Sequence, residues 1–361
     1  MDKNRNQFKS EAIDISSLSR TDLECFLNEL GWKSFRGRQV FKWLWKPDTV
    51  DFSSMSDLPK NLKEQLKSRT YIYRLHPEKI LQSVDGTVKV AWRLRDNHLI
   101  ESVFIPDGKR KTICISTQVG CAVGCRFCNT ARMGFIRNLT ASEICLQVLD
   151  MTRWLQQNRP DTLPIRNIVF MGMGEPLLNY DNLLKSIDIL TDDMGLNFST
   201  RKITVSTCGI VPKIEKLGRD TKVKLAVSLH APDDPTRSAL MPINNKYPLK
   251  DLLNTLSRYP LNPRDRITFE YLLISGINDS VSKAQGLVRL LRPIRCKINL
   301  IAYNETPETD FKSPTTEQVL TFQKVLLDAG YTAIIRKSRG RDIDAACGQL
   351  FIAMQGKREW N

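Results

Sequence analysis

From about residue 110 onward, short β-branched runs alternate with helical ones, and this alternation limits the possible fold more than any other feature of the chain. The candidate strands are TICIS (112–116), NIVFMG (167–172), KITVS (202–206), VKLAVS (223–228), ITFEYLL (267–273), KINLIA (297–302) and TAIIRK (332–337). Helical patterns such as ASEICLQVLDMTRWLQQ and NLLKSIDILTDD lie between several of them. Strand–helix repetition of this kind means βα units and a parallel sheet. The absence of G-x-G-x-x-G after any strand favours an α/β fold with a full or partial (β/α) barrel over a Rossmann sheet. Barrels gather functional groups on the loops after the strand C-termini, so unusual residues are expected there.

Two other regions precede the barrel. Residues 1–75 read as short helices: TDLECFLNELGW, with Thr21 as cap and Glu24 as capping-box partner, then GRQVFKWLWK and LPKNLKEQLKS. Between Lys33 and Arg74 ten Lys/Arg face four Asp/Glu, and Trp32, Phe35, Phe41, Trp43 and Trp45 are interleaved with Lys33, Arg36, Arg38, Lys42 and Lys46. This is either a nucleic-acid surface or a small helical core with a solvated basic face. Residues 76–108 alternate apolar and polar positions, with Asp85-Gly86 and Asp96-Asn97 as turn signals, which predicts a β-meander linking two domains. The barrel takes residues 109–350, and 351–361 form a tail.

Composition narrows the function classes. Lys plus Arg outnumber Asp plus Glu by 54 to 39, a net charge of +15, which suggests an anionic partner such as nucleic acid. Nine cysteines, an odd number in a 361-residue chain, do not suit a disulfide-stapled scaffold. The polar N-terminus and the lack of a long apolar run predict a cytoplasmic protein with reduced cysteines and no membrane span.

The unusual residues fall after the strands as expected. Cys121, Cys125 and Cys128 form C-x3-C-x2-C directly after the first strand. Three thiolates so close can wrap one iron–sulfur cluster, help bind zinc, or be reduced structural cysteines. Structural zinc usually takes four ligands in paired knuckles, and no second pair is present. The second strand ends in FMGMGEPLLN, where Gly172 and Gly174 let backbone approach a ligand and Glu175 can accept from an ammonium group. Ser206, Thr207, Cys208 and Gly209 end the third strand; Ser228, Leu229 and His230 end the fourth; Asn304 follows KINLIA. Each alone reads as a satisfied polar group, and together they repeat one pattern that a common site explains. Cys347 sits among small residues near the C-terminus, and Cys114 on the first strand is either a buried small hydrophobe or a group near the site.

C-x3-C-x2-C followed by G-x-G-E-P resembles the radical S-adenosylmethionine superfamily. QVGCAVGCRFCNTARMGFIRNLT, FMGMGEPLLN, SLHAPDDPTRSALMPIN and DIDAACGQL together resemble the RlmN-type ribosomal RNA adenine-C2 methyltransferases from about Glu101 to Leu350. The related Cfr-type enzymes modify C8 and typically carry Ala where this chain has Pro176. Arg341 stands where the C2 group commonly has an acidic residue, and Cys208 where a hydroxyl or small residue is usual.

The resemblance implies one [4Fe-4S] cluster on Cys121, Cys125 and Cys128. It also implies S-adenosylmethionine bound by Gly174, Glu175, Ser206, Ser228, Leu229, His230 and Asn304. It implies, further, that two molecules are used per turnover. One methylates Cys347; the other yields a radical that activates this methyl for addition to C2, giving a protein–RNA adduct. Glu101 is the implied proton acceptor, with Cys114 as an alternative. The resemblance also implies that Cys114 resolves the adduct through a transient disulfide with Cys347. The implied partners are 23S rRNA near the peptidyl-transferase region, an adenosine beside the anticodon of some tRNAs, and an external electron donor such as flavodoxin; the chain is expected to be a monomer. Two other readings remain: a C8-methylating relative, and a zinc-stabilised RNA-binding protein with no chemistry.

Overall fold

The computed structural model describes residues 12–350 apart from residue 308, so the 351–361 tail lies outside the described residues. The chain divides into two compact units.

The first unit takes the chain through Leu75 together with Thr140–Thr162 and Lys185–Asn197. Strand β1 (Ile13–Asp14) pairs in parallel with β2 (Thr70–Tyr71), and three helices lie between them: Arg20–Glu29, Ser34–Leu44 and Lys60–Arg69. The first helix is capped by Ser19, two residues before the expected cap. Ser19 Oγ accepts from the Asp22 amide and Asp22 accepts from the Ser19 amide, closing a capping box that leaves Thr21 inside the helix. Gly37 lets this helix and the next cross closely, since a Cβ there would sit 2.7 Å from Glu24 Cα. Phe41 and Trp45 are core, whereas Phe35 is exposed and Trp32 and Trp43 are half-buried, so the interleaved aromatics divide between core and surface. The helix Ala141–Asn158, assigned from the sequence to the barrel, is tied to this unit. Ser142 Oγ donates to Asp14, and Asp150 accepts the Leu75 amide at 2.9 Å.

The second unit is built on one ten-stranded sheet. Its strands are β3 (His76–Gln82), β4 (Val88–Arg93), β5 (Leu99–Asp107), β6 (Arg110–Cys114), β9 (Asn167–Phe170), β10 (Ile203–Thr207), β11 (Lys224–Ser228), β12 (Ile267–Leu273), β13 (Cys296–Ala302) and β14 (Ala333–Ile335). They lie in chain order across the sheet, interrupted only by β7 (Gln118–Gly120) and β8 (Phe135–Asn138), which form a separate antiparallel pair. From β6 to β14 all neighbours are parallel, as the βα repetition requires. Among the described residues the sheet keeps two unpaired edges, β3 and β14, so the barrel is partial and not closed. The meander expected to link domains is instead a continuation of the sheet, with β3, β4 and β5 antiparallel and β5 pairing with β6.

The parallel strands carry one apolar face, while the alternate positions hold polar groups such as Asn167, Ser206, Ser228, Glu270 and Asn299. Ile113, Ile168, Val205, Val227, Phe269 and Leu300 are all fully or almost fully buried. Among the described residues no helix is long and apolar enough to cross a membrane.

Candidate active site

The register sets polar groups side by side at the strand ends. Ser228 on β11 pairs with Glu270 on β12, and Glu270 pairs with Asn299 on β13. Above this row opens a cleft of about 230 Å³. Cys121, Cys125, Cys128, Gly174, Glu175, Ser206, Ser228, His230 and Cys347 all line it, which brings together nine of the residues singled out from the sequence.

The cysteine loop is held at both ends. The Cys121 amide donates to the Gly134 carbonyl at 2.8 Å, and the Cys128 amide donates to the Cys125 carbonyl at 3.1 Å. Burial pushes the Cys121 thiol up to about 12 and raises Cys125 and Cys128 as well. A coordinating cation reverses this, because it deprotonates a thiol outright. Among the described residues no three His, Cys, Asp or Glu side chains converge on one metal ion. The three soft thiols line one cleft, and C-x3-C-x2-C without a second cysteine pair suits an iron–sulfur cluster better than a four-ligand structural zinc.

Gly174 has φ +97°, and a Cβ there would lie 2.5 Å from Gln118 Cβ. This close approach lets Gln118 Oε1 accept the Glu175 amide at 2.8 Å. The Glu175 carboxylate in turn accepts the Leu177 amide at 3.0 Å and the Cys208 amide at 2.7 Å. Burial raises its pKa despite those donors. His230 also adopts a left-handed backbone, φ +60°. Its Nδ1 accepts the Leu272 amide at 3.0 Å, which leaves Nε2 to carry the proton. Burial, with the Arg237 charge nearby, lowers its pKa to about 3, so the imidazole is neutral.

Cys347 reaches the cleft on a C-terminal segment docked beside the cysteine loop. The Asn129 amide donates to the Gly348 carbonyl at 2.8 Å, and Thr130 Oγ1 donates to the Leu350 carbonyl at 2.7 Å. Cys347 is an exposed residue, while its thiol sits down in the cleft, where burial and then Glu270 raise its pKa. Cys114, at the end of β6, is buried and does not line the cleft, but Cys347 is close enough to add to the upward shift of its thiol. All nine cysteines are free thiols, so the Cys114–Cys347 disulfide is not formed in this structure.

Three other expected residues stand off the cleft. Leu229 is fully buried. Asn304 donates through Nδ2 to the Cys347 carbonyl at 3.4 Å and accepts from Arg341 Nε at 3.0 Å, so the atypical Arg341 acts on Asn304. Glu101 is buried on β5 and paired with Lys89 at 3.2 Å.

Sequence reasoning missed several groups here. Glu270 lines the cleft and accepts from Asn299 Nδ2 at 2.8 Å, and burial raises its pKa. Its signal was a lone charge inside the apolar strand ITFEYLL. Arg336, Lys337 and Arg339 put three cations on the wall, just past β14. Arg237, fully buried, spans the ends of β10 and β11.

Known proteins match this arrangement. Residues 13–72 match the ribosomal RNA large subunit methyltransferase N-terminal domain, and residues 115–284 match the radical SAM superfamily, which implies a four-iron cluster and S-adenosylmethionine. A dual-specificity RNA methyltransferase RlmN from Syntrophus aciditrophicus is 52% identical over 338 residues, covering 94% of this chain and 96% of its own length. The protein of that name from Desulfotalea psychrophila is 49% identical over 344 residues, covering 94% and 95%. The crystal structure of a radical SAM methyltransferase from Sphaerobacter thermophilus superposes with a TM-score of 0.88 at 44% identity, over 94% of this chain and 99% of that one. Three cysteines, a glycine-flanked glutamate and a fourth cysteine around one cleft, on a chain so similar to these relatives over almost its whole length, make it a member of the RlmN family of radical S-adenosylmethionine RNA methyltransferases.

Proposed function

We propose that the chain methylates C2 of an adenosine in 23S rRNA and of an adenosine beside the anticodon of some tRNAs, carrying the methyl group on Cys347. One observation carries this reading: Cys347 shares a cleft with Cys121, Cys125, Cys128 and Glu175, and it lies close enough to Cys114 to add to the rise that burial gives that thiol's pKa. C2 of adenine is electron-poor and cannot attack a sulfonium methyl, so direct displacement is closed to it. When bound, the cluster and S-adenosylmethionine supply one-electron cleavage of a carbon–sulfur bond, with electrons from a donor such as flavodoxin.

The chain's own residues do the rest. Gly174, Glu175, Ser206, Ser228 and His230 form the cofactor's contacts, with Leu229 and Asn304 supporting them from beneath and beside the cleft. Cys347 accepts a methyl group as a thiolate nucleophile from the first of two cofactor molecules. Glu101 takes the C2 proton; its partner Lys89 donates to the Asp344 carbonyl, three residues before Cys347. Cys114 releases the product by attacking the Cys347 sulfur: the disulfide forms, the bond from Cys347 sulfur to the methylene carbon breaks, and that carbon keeps the electron pair and takes a proton to become the methyl group on C2. A target adenine must leave its stack to enter the cleft, which favours loop nucleotides. The cations Arg336, Lys337 and Arg339 suit its flanking phosphates.

Nucleoside analysis of rRNA and tRNA from cells with and without the protein tests the reading. The expected product is 2-methyladenosine in both RNAs; 8-methyladenosine alone would overturn it in favour of the C8 chemistry.

A further inference from the structure

Arg237 is 0% exposed, yet among the described residues it forms no ion pair. Its guanidinium donates to the carbonyls of Cys208 at 2.7 Å, Ser228 at 3.2 Å and Leu229 at 3.2 Å, and to Asn244 Oδ1 at 2.8 Å. All four acceptors are neutral. Asp234 makes no direct contact with the guanidinium: the Asn244 amide stands between them, donating to its carboxylate at 2.9 Å, and Asp234 adds an attraction that ranks after those of Cys208 and Cys125. A cation taken out of water without an anion beside it is unfavourable, so buried charges are normally paired.

The missing anion is found by following the loop packing. Arg237 lies in the helix Asp234–Leu240, and the Leu240 carbonyl accepts the amide of Arg126, the residue next to Cys125. A Cβ on Gly124 would lie 3.9 Å from Pro242, so the loop on the other side of Cys125 also rests on the end of this helix. Cys125 and Cys208 both act electrostatically on Arg237. Three thiolates on a four-iron cluster make an anion there, and each added electron makes it more negative.

We propose that Arg237 is the buried counter-charge of the iron–sulfur cluster and raises its reduction potential, so that the external donor can reduce it. The same guanidinium holds the ends of β10 and β11, where Ser206 and Ser228 face the cleft. Arg237 touches neither substrate nor reacting atoms; it acts through the field at Cys125 and through these carbonyls. The inference rests on the cluster reading given above.

Anaerobic reconstitution with iron and sulfide, followed by dye-mediated potentiometry read by electron paramagnetic resonance, separates the two. Failure of the wild-type protein to take up iron and sulfide overturns the cluster reading itself. With the cluster present, Arg237→Gln keeps hydrogen-bond donors and removes the charge. It is expected to make reduction at least tenfold less favourable, a shift of about 59 mV or more to lower potential for one electron. Arg237→Lys restores the charge without the fork, and its potential should return toward wild type. Equal potentials in wild type and Arg237→Gln, or equal shifts in both variants, overturn the counter-charge while leaving the cluster in place. Should Arg237→Gln not fold, Asn244→Asp sets a carboxylate on the retained guanidinium and carries the same expected shift; an unchanged potential there overturns the proposal.

Discussion

Lys89 and Glu101 form a buried ion pair, 3.2 Å apart, with side chains 3% and 1% exposed. They sit on adjacent antiparallel strands, and the lysine also donates to the Asp344 carbonyl at 3.1 Å, tethering the segment that carries Cys347. Removing one partner leaves the other charge buried, a cost of about 3–5 kcal/mol. Lys89→Met should therefore lose that much stability in urea unfolding, and Lys89→Met/Glu101→Leu should recover most of it. A single variant as stable as wild type would show that the pair does not matter to the fold.

Cys114→Ala separates formation of the RNA adduct from its release. The resolving thiol is proposed to act after Cys347 has been joined to RNA, so its loss should let the adduct form and accumulate. Protein covalently attached to RNA should appear on denaturing gels and vanish on nuclease treatment. Normal turnover by Cys114→Ala would remove Cys114 from the scheme.

Much of this site was legible because the period of the chain and the chemistry of its loops agree. All seven strands appear where β-branched runs predicted them, and the unusual residues follow their C-terminal ends. What was not legible depends on register and on contacts far apart in sequence. Glu270 enters the cleft only because β12 pairs Glu270 with Ser228 and Asn299. Arg237 reads as one more basic residue of a helix until its three carbonyl acceptors are brought together by β10 and β11. The capping error at Thr21 has a local cause: Ser19 and Asp22 satisfy the same amides two positions earlier. The meander pattern fixed its strands, but periodicity does not say which edge a meander joins, and β5 pairs with β6.

His230 predicts a pH dependence of stability. Burial, then the Arg237 charge, lowers its pKa from 6.5 to about 3 in the folded state. Below pH 6.5 the unfolded chain binds a proton that the folded imidazole refuses, so stability falls with falling pH until the folded group titrates near 3. The loss is about 1.4 kcal/mol per pH unit for one proton. The raised carboxyls Glu175 and Glu270 act in the opposite sense, since they take up protons in the folded state first. They are common to wild type and His230→Asn, so comparing the two isolates the histidine. Urea titrations of the cluster-free protein between pH 6.5 and 4.5 should show a shallower acid loss in His230→Asn; identical slopes would place the imidazole in contact with water.

The helical unit predicts the salt response of RNA binding. Lys42 is exposed, and Lys46 Nζ lies 3.5 Å from the Trp43 ring centroid, so cations and an aromatic share one surface. Each phosphate neutralised on single-stranded RNA contributes about −0.7 to the slope of log K against log salt. Lys42→Ala/Lys46→Ala should reduce the slope by about 1–2 units in fluorescence-anisotropy titrations across salt. An unchanged slope would assign RNA contact to other cations.

Gly174 and Gly276 give the sharpest test of how the cofactor's contacts are held. Both have positive φ, +97° and +71°, so alanine at either pays the left-handed backbone cost of about 1–2 kcal/mol. They differ in surroundings. A Cβ on Gly276 meets nothing within 4 Å, whereas one on Gly174 would lie 2.5 Å from Gln118 Cβ and 2.8 Å from its backbone nitrogen. That second contact is with the chain itself and cannot be relieved by a rotamer. Gln118 must move, and with it the oxygen that accepts the Glu175 amide at 2.8 Å. Gly276→Ala should therefore show only the backbone cost and bind S-adenosylmethionine as wild type does. Gly174→Ala should lose more stability and at least tenfold in cofactor affinity, measured by calorimetry on the reconstituted protein. If the two variants behaved alike, close packing of Gly174 on Gln118 would not be what positions Glu175.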